Sequence, residues 1–179
     1  TPIVVMNPEQ HSYDAIIQYN LEPEIYSFRV LELFYEAVQK SGYDKKYPIH
    51  IKLETGMHRL GFKGDELSHL IQNLEHKNLK VQSIFSHLSS SDVPEEKEFT
   101  LKQLEIFDKN STYLIENLGY QALRHILNSS GITNYAHNQY DMVRIGIGML
   151  GESSNPKIQK QLQSSVSFKT VISQISLVE

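Results

Sequence analysis

The side chains best suited to chemistry collect at the ends of apolar runs. Lys52 lies near the end of Ile49–Glu54 with Arg59 following it, and His87 ends Val81–His87. Asn128 and Ser129 follow His125, and Arg144 sits in Met142–Ile145. A guanidinium carries only donors and keeps its charge, so Arg59 and Arg144 suit anions or lone pairs. Gly56 permits a sharp turn that can aim Arg59 back across the end of its run. Each of these residues also has a plain structural reading: a strand-end histidine can be a satisfied core residue, and an arginine a stabilising one. His58, His125 and His137 share no recognised metal-ligand spacing and there is no cysteine, so no metal site is expected. The Gly146-Ile147-Gly148 run lacks the spacing of a dinucleotide loop.

What must position these groups is a series of alternating elements. Six runs read as strands: Ile3–Met6, Glu24–Ser27, Ile49–Glu54, Val81–His87, His125–Asn128 and Met142–Ile145. Helical patterns lie between them, after Pro8, around Val30–Val38, after a candidate cap at Asp65, from about Phe99 to Leu118, and briefly near Gly131–Ala136. Strand–helix units with right-handed crossovers build a parallel α/β sheet. Spacing alone leaves an open sheet and a partial (β/α)8 barrel equal. In a barrel the polar strand ends would share one rim. The block Leu162–Glu179 alternates Val166, Phe168, Val171, Ile175 and Leu177 and reads as strand material of a second, mostly β region.

Composition narrows the classes. A chain of 179 residues can bury a core as one domain. With 17 basic and 21 acidic residues, a net charge of -4 and no basic run, a nucleic-acid surface is not expected. No apolar run approaches the ~20 residues of a membrane span. The lack of cysteine excludes disulfides and permits a reducing compartment. Thr1 is no initiator, and the chain reads as a piece that begins mid-fold.

Four stretches together carry a resemblance: IKLETGMHRLGF from Ile51, Ser86-His87-Leu88 with Ser91-Asp92, Leu127-Asn128-Ser129-Ser130, and DMVRIGIGM from Asp141. In order and spacing the chain resembles the pyridoxal-phosphate-dependent alanine racemase family. The run SHLSSSD followed by FTLKQLEIF is also similar to racemases fused behind a cell-wall peptide ligase. The resemblance decides for a partial TIM barrel lacking its first strands. Residues 1–155 would supply about strands three to eight, and 156–179 the connection and first strand of a truncated C-terminal β domain.

The same resemblance implies roles. The parent protein would interconvert L- and D-alanine for peptidoglycan synthesis, as a cytoplasmic homodimer. Arg144 would meet the pyridine nitrogen of pyridoxal 5'-phosphate, leaving it unprotonated and the ring a weaker electron sink. Arg59 would donate to the phenolic oxygen near the substrate carboxylate. His87 would pack beside the ring and hydrogen-bond to Arg144, and Asn128 would support the ring site. Ser129 and the amides of Gly146 and Ile147 would hold the phosphate. Lys52 matches a lysine that is often carbamylated, whose carbamate would hold Arg59; an ordinary lysine is the alternative. One departure is Leu150, where many members carry tyrosine. The two bases of the family, a first-strand lysine and a tyrosine of the partner's β domain, have no counterpart here, so this piece is expected to be inactive alone. A non-enzymatic pyridoxal-phosphate carrier is the rival reading.

Overall fold

The structure, a computed structural model, describes residues 1–177. Five strands form one sheet: β1 (Val4–Val5), β2 (Glu22–Ile25), β3 (Tyr47–Lys52), β4 (Leu79–Phe85) and β5 (Leu123–His125). All neighbours are parallel, and spatial order follows chain order. Parallel strands need a crossover, and each is helical: α1 (Tyr13–Gln18), α2 (Phe28–Ser41), α3 (Leu67–Glu75) and α4 (Lys97–Leu118). With right-handed crossovers, an order that never reverses puts every helix on the same side. That is a sector of a (β/α) barrel. A doubly wound sheet would reverse direction at a switch point.

Local chemistry sets the helix limits. The Ser27 hydroxyl accepts from Val30 N at 3.3 Å to start α2, and Gly42 ends it at φ 70°. Ser27 therefore leaves the predicted second strand to become a cap, and β2 ends at Ile25. Asp65 does not cap α3; a 3-10 turn at Gly64–Glu66 begins earlier, and the Glu66 carboxylate accepts from Lys63 N at 2.7 Å. Val30, Leu31, Phe34 and Val38 of α2, Leu67, Leu70, Ile71 and Leu74 of α3, and Leu104, Phe107 and Leu114 of α4 are buried. Each such side chain contributes about 1.5–3 kcal/mol when taken fully out of water.

The pleat sorts the sheet into two faces. Ile25, Ile51, Ile84 and Arg124 are register partners, and Arg124 reaches Asp108 of α4, which marks this as the helix side. On the other face Glu24 pairs with His50 and His50 with Ser83, while Lys52 pairs with Phe85 and Phe85 with His125. The β3–β4 register shifts between Ile49 and His50, so Ile49 faces Val81 but His50 faces Ser83. The extra residue, Gln82, keeps Val81 among the aliphatics while turning Ser83 to the polar face.

Two predicted strands do not form. Met142–Ile145 is irregular; Asp141 N donates to Arg124 O (3.1 Å) and Arg144 N to Leu127 O (3.0 Å), too sparse for a ladder. Tyr140, at φ 53°, turns the chain just before it. After a short α6 (Pro156–Gln159), residues 163–177 carry no strand, and Val166, Phe168, Val171, Ile175 and Leu177 are exposed. Alternation needs a neighbouring strand to pair with, and among the described residues none lies there. Residues 178 and 179 of that predicted block lie outside the described ones. Among the described residues no helix is long and apolar enough to cross a membrane.

Candidate active site

Arg144 is the hub of the polar face. Its NH1 donates to His125 Nδ1 (2.5 Å) and His125 O (3.3 Å). Its NH2 donates to Ser86 O (2.5 Å), Ile126 O (3.3 Å) and His87 Nδ1 (3.4 Å). Its guanidinium also lies 5.2 Å from the Phe85 ring centre, and Phe85 stacks on His125 at 5.0 Å. Burial draws the Arg144 pKa down to about 10, against the opposing pull of Glu24, so the group stays charged at neutral pH.

Because arginine only donates, it dictates the tautomers behind it. His125 Nδ1 must accept, so neutral His125 carries its proton on Nε2 and donates to Ser83 Oγ at 2.9 Å. Ser83 then gives its own proton to His50 Nδ1 at 2.6 Å, and His50 Nε2 donates to Glu22 Oε2 at 2.7 Å. The result is a one-way chain, Arg144 to His125 to Ser83 to His50 to Glu22, whose last four members lie on four successive strands, β5 to β2. Burial, reinforced by the charge of Arg144, pushes His125 down to about 3. Burial, with Arg144, Arg59 and Lys52 adding to it, pushes His87 down to about 4. Burial also lowers His50, against the opposing pull of Glu22. All three imidazoles are neutral at pH 7.

The cleft beside Arg144 has a volume of about 300 Å3 and is lined by His87, Asn128, Ser129, Arg144, Gly146 and Ile147. Thus six of the residues singled out in the sequence converge. Ser129 Oγ accepts from Gly146 N (3.0 Å) and Gly148 N (3.1 Å), whereas Ile147 contributes to the lining. Space over Gly146 is open; a Cβ there would meet nothing within 4 Å. Asn128 braces the loops: its Oδ1 accepts from Ser91 Oγ (2.8 Å) and Gly131 N (2.9 Å), and its Nδ2 donates to Leu88 O (3.0 Å). Asn128 caps α5 (Ser129–Asn134) instead of ending a strand, and β5 is correspondingly earlier. Gln103 of α4 donates to His87 O at 3.2 Å and accepts from Ser89 N at 3.1 Å, fixing the next loop.

Arg59 rides a closed loop. Phe62 N donates to Lys52 O and Glu54 N to Phe62 O, both at 2.9 Å, so residues 53–62 leave and re-enter at one point. Gly56 (φ 128°) gives its amide to the Glu54 carboxylate, as the sharp turn requires. Gly61 (φ 132°) lies against Leu53 and Glu54 backbone, where a Cβ would come within 2.5 Å of Glu54 N. Arg59 itself is exposed, with no hydrogen bond to the described residues. Lys52 is buried and finds Glu24, whose Oε1 lies 2.9 Å from its Nζ. Leu150 ends a 3-10 turn, Ile147–Leu150, and is 40% exposed.

The strand-end pattern does not single out Glu22, Glu24, His50 or Ser83 as site residues. A signal existed: Glu22 and Glu24, and likewise His50 and Lys52, sit two apart in strands, as one polar face demands.

The geometry has counterparts. Residues 1–154 match the family described as alanine racemase, N-terminal domain. The alanine racemase of Fusobacterium nucleatum subsp. nucleatum is 44% identical over 113 residues, covering 61% of this chain and 30% of that protein. An alanine racemase structure from Clostridium difficile 630 superposes with a TM-score of 0.78 at 23% identity, covering 91% of this chain and 43% of that one, a likeness of fold. The alanine racemase of Bartonella henselae, with covalently bound pyridoxal phosphate, gives a TM-score of 0.69 at 27% identity, covering 84% of this chain and 42% of that one. The chain thus spans less than half the length of these relatives. Matched over 154 of its 179 residues, it belongs to the alanine racemase N-terminal domain family.

Proposed function

We propose that this chain forms the ring-nitrogen and phosphate side of a pyridoxal-phosphate-dependent alanine racemase site. The observation that carries the reading is the posture of Arg144. Both its terminal nitrogens are spent on protein acceptors, Nε has none among the described residues, and the residue lines the cleft with Ser129. That donor set fits a pyridine ring with a free lone pair. Ser129 Oγ, the two amides aimed at it and the open space over Gly146 fit a phosphate.

Pyridoxal phosphate, when bound, supplies an electron sink for removal of a proton from the α-carbon of an amino acid. The chain's own residues bind and orient. Arg144 would hold the ring nitrogen by donating a hydrogen bond without giving up its proton, and the chain ending at Glu22 occupies both nitrogens of His125. Neutral His87 fills the space beside Arg144 without adding charge. Arg59, presented by the loop between Gly56 and Gly61, is placed for an anionic oxygen of cofactor or substrate.

Alanine as substrate, a homodimer, and division into a barrel part (1–155) and the start of a β region (156–179) belong to this proposal. So does inactivity of the 179-residue chain alone. Lys52, the lysine at these strand ends, is engaged by Glu24 and so does not serve as the cofactor-bearing base. The test is a binding titration of the whole protein with pyridoxal phosphate and with phosphate-free pyridoxal. The phosphate form should bind more tightly, and Ser129→Ala should erase most of that preference. Equal binding of both by the wild type would contradict a phosphate site at Ser129.

A further inference from the structure

Glu24 is the most deeply buried acid on the polar face, 1% exposed, and Lys52 beside it is 5% exposed. Its Oε2 accepts from Asn7 N at 2.5 Å. Its Oε1 lies 2.9 Å from Lys52 Nζ but off the hydrogen-bond direction, so that contact is an ion pair and Oε1 accepts no hydrogen bond. Lys52 also sits 5.7 Å from the Phe85 ring centre, and Arg144 approaches the same ring at 5.2 Å. Glu24 thus lies among buried cations, and its charge acts on Arg144 as well. Two cations flank one aromatic ring, and one buried carboxylate serves both.

We propose that Glu24 is a positioning residue, the built-in anion of this site, and that its presence leaves Lys52 unmodified. A lysine becomes a carbamate when its neutral amine attacks the carbon of carbon dioxide, forms an N–C bond and loses one proton to water. The product is an anion. Here that anion would be created against the buried Glu24 carboxylate, where like charges repel strongly and burial weakens screening by solvent. Glu24 also sits 2.9 Å from the Lys52 nitrogen, on the space that incoming carbon dioxide would need. The carboxylate therefore both blocks the modification and replaces the negative charge it would have brought. The outcome is a site whose anion does not depend on dissolved carbon dioxide.

The inference does not rest on racemase activity, and its test needs neither cofactor nor substrate. Wild-type protein and Glu24→Gln are equilibrated with 13C-bicarbonate at pH 8, and the carbamate carbon is sought by 13C NMR. Far-ultraviolet circular dichroism confirms that the variant is folded. Wild type should show no carbamate on Lys52; any signal from the α-amino group is the same in every variant. In Glu24→Gln the opposing carboxylate is gone, and a further carbamate signal, absent from wild type, should appear that Lys52→Met removes. A Lys52 carbamate on wild type overturns the proposal whether or not the variant folds. A folded Glu24→Gln that stays unmodified overturns the claim that Glu24 is what protects the lysine.

Discussion

Ser83 is fully buried and joins two imidazoles, so its loss should cost far more than its size suggests. Ser83→Ala leaves His125 Nε2–H without an acceptor and His50 Nδ1 without a donor. A buried polar group left unmet costs about 1–3 kcal/mol, so two cost about 2–6 kcal/mol, with little added for the small void. The middle of that range is a large part of the ~5–15 kcal/mol that holds an ordinary domain together. In a His50→Leu background the same serine deletion strands only His125, so its cost should fall by about 1–3 kcal/mol. The assay is a double-mutant cycle by equilibrium urea unfolding at pH 7.5, above the lowered pKa values of His50 and His125 and their unfolded value of about 6.5. If the two substitutions add to within about 0.5 kcal/mol, the one-way chain from Arg144 to Glu22 is not an energetic unit.

Further expectations follow from the same geometry. His50, His87 and His125 have folded pKa values below 6.5, the last two at about 4 and about 3, so below pH 6.5 the unfolded chain takes up protons the folded one refuses. Stability should therefore fall as pH drops from 6.5 toward 4, by up to about 1.4 kcal/mol per pH unit per histidine. Urea midpoints from pH 7.5 to 4.5 check this, and a flat profile would refute it; His125→Leu should lessen the slope. Gly61→Ala forces a Cβ onto Leu53 and Glu54 backbone at an unfavourable φ of 132°, and should cost about 2–4 kcal/mol in unfolding experiments. Arg144→Lys replaces a planar fork serving five acceptors with three donors, and should weaken pyridoxal-phosphate binding about 10- to 100-fold by titration.

The parallel α/β sheet, its helices and the cluster at the strand ends were legible because their signals are local. Period-2 and period-3.6 patterns, caps and glycine stops act within a few residues. Met142–Ile145 misled because four aliphatic-rich positions satisfy a strand pattern, yet the turn at Tyr140 spoils pairing with β5. Residues 163–177 misled similarly, since alternation describes a strand's faces and says nothing of whether a neighbour exists. The Lys52–Glu24 pair and the His50–Ser83–His125 chain were hidden for another reason. Both depend on cross-strand register, and Ser83 joins the chain only through the one-residue shift beside His50. A register shift has no short-range signature. Arg144 was legible as a donor, but its five acceptors lie 18 to 58 residues away and had to be seen in place.

If this polar face serves amino-acid racemisation, as proposed, the whole protein should interconvert the two forms of alanine. The most direct measurement is conversion of L-alanine to D-alanine by the whole protein with pyridoxal phosphate, followed by chiral chromatography, for wild type, Arg59→Ala and Arg144→Gln. Wild type should turn over alanine, and both variants should lose most or all of that turnover while they remain folded. Cofactor binding by wild type without racemisation of alanine would contradict it.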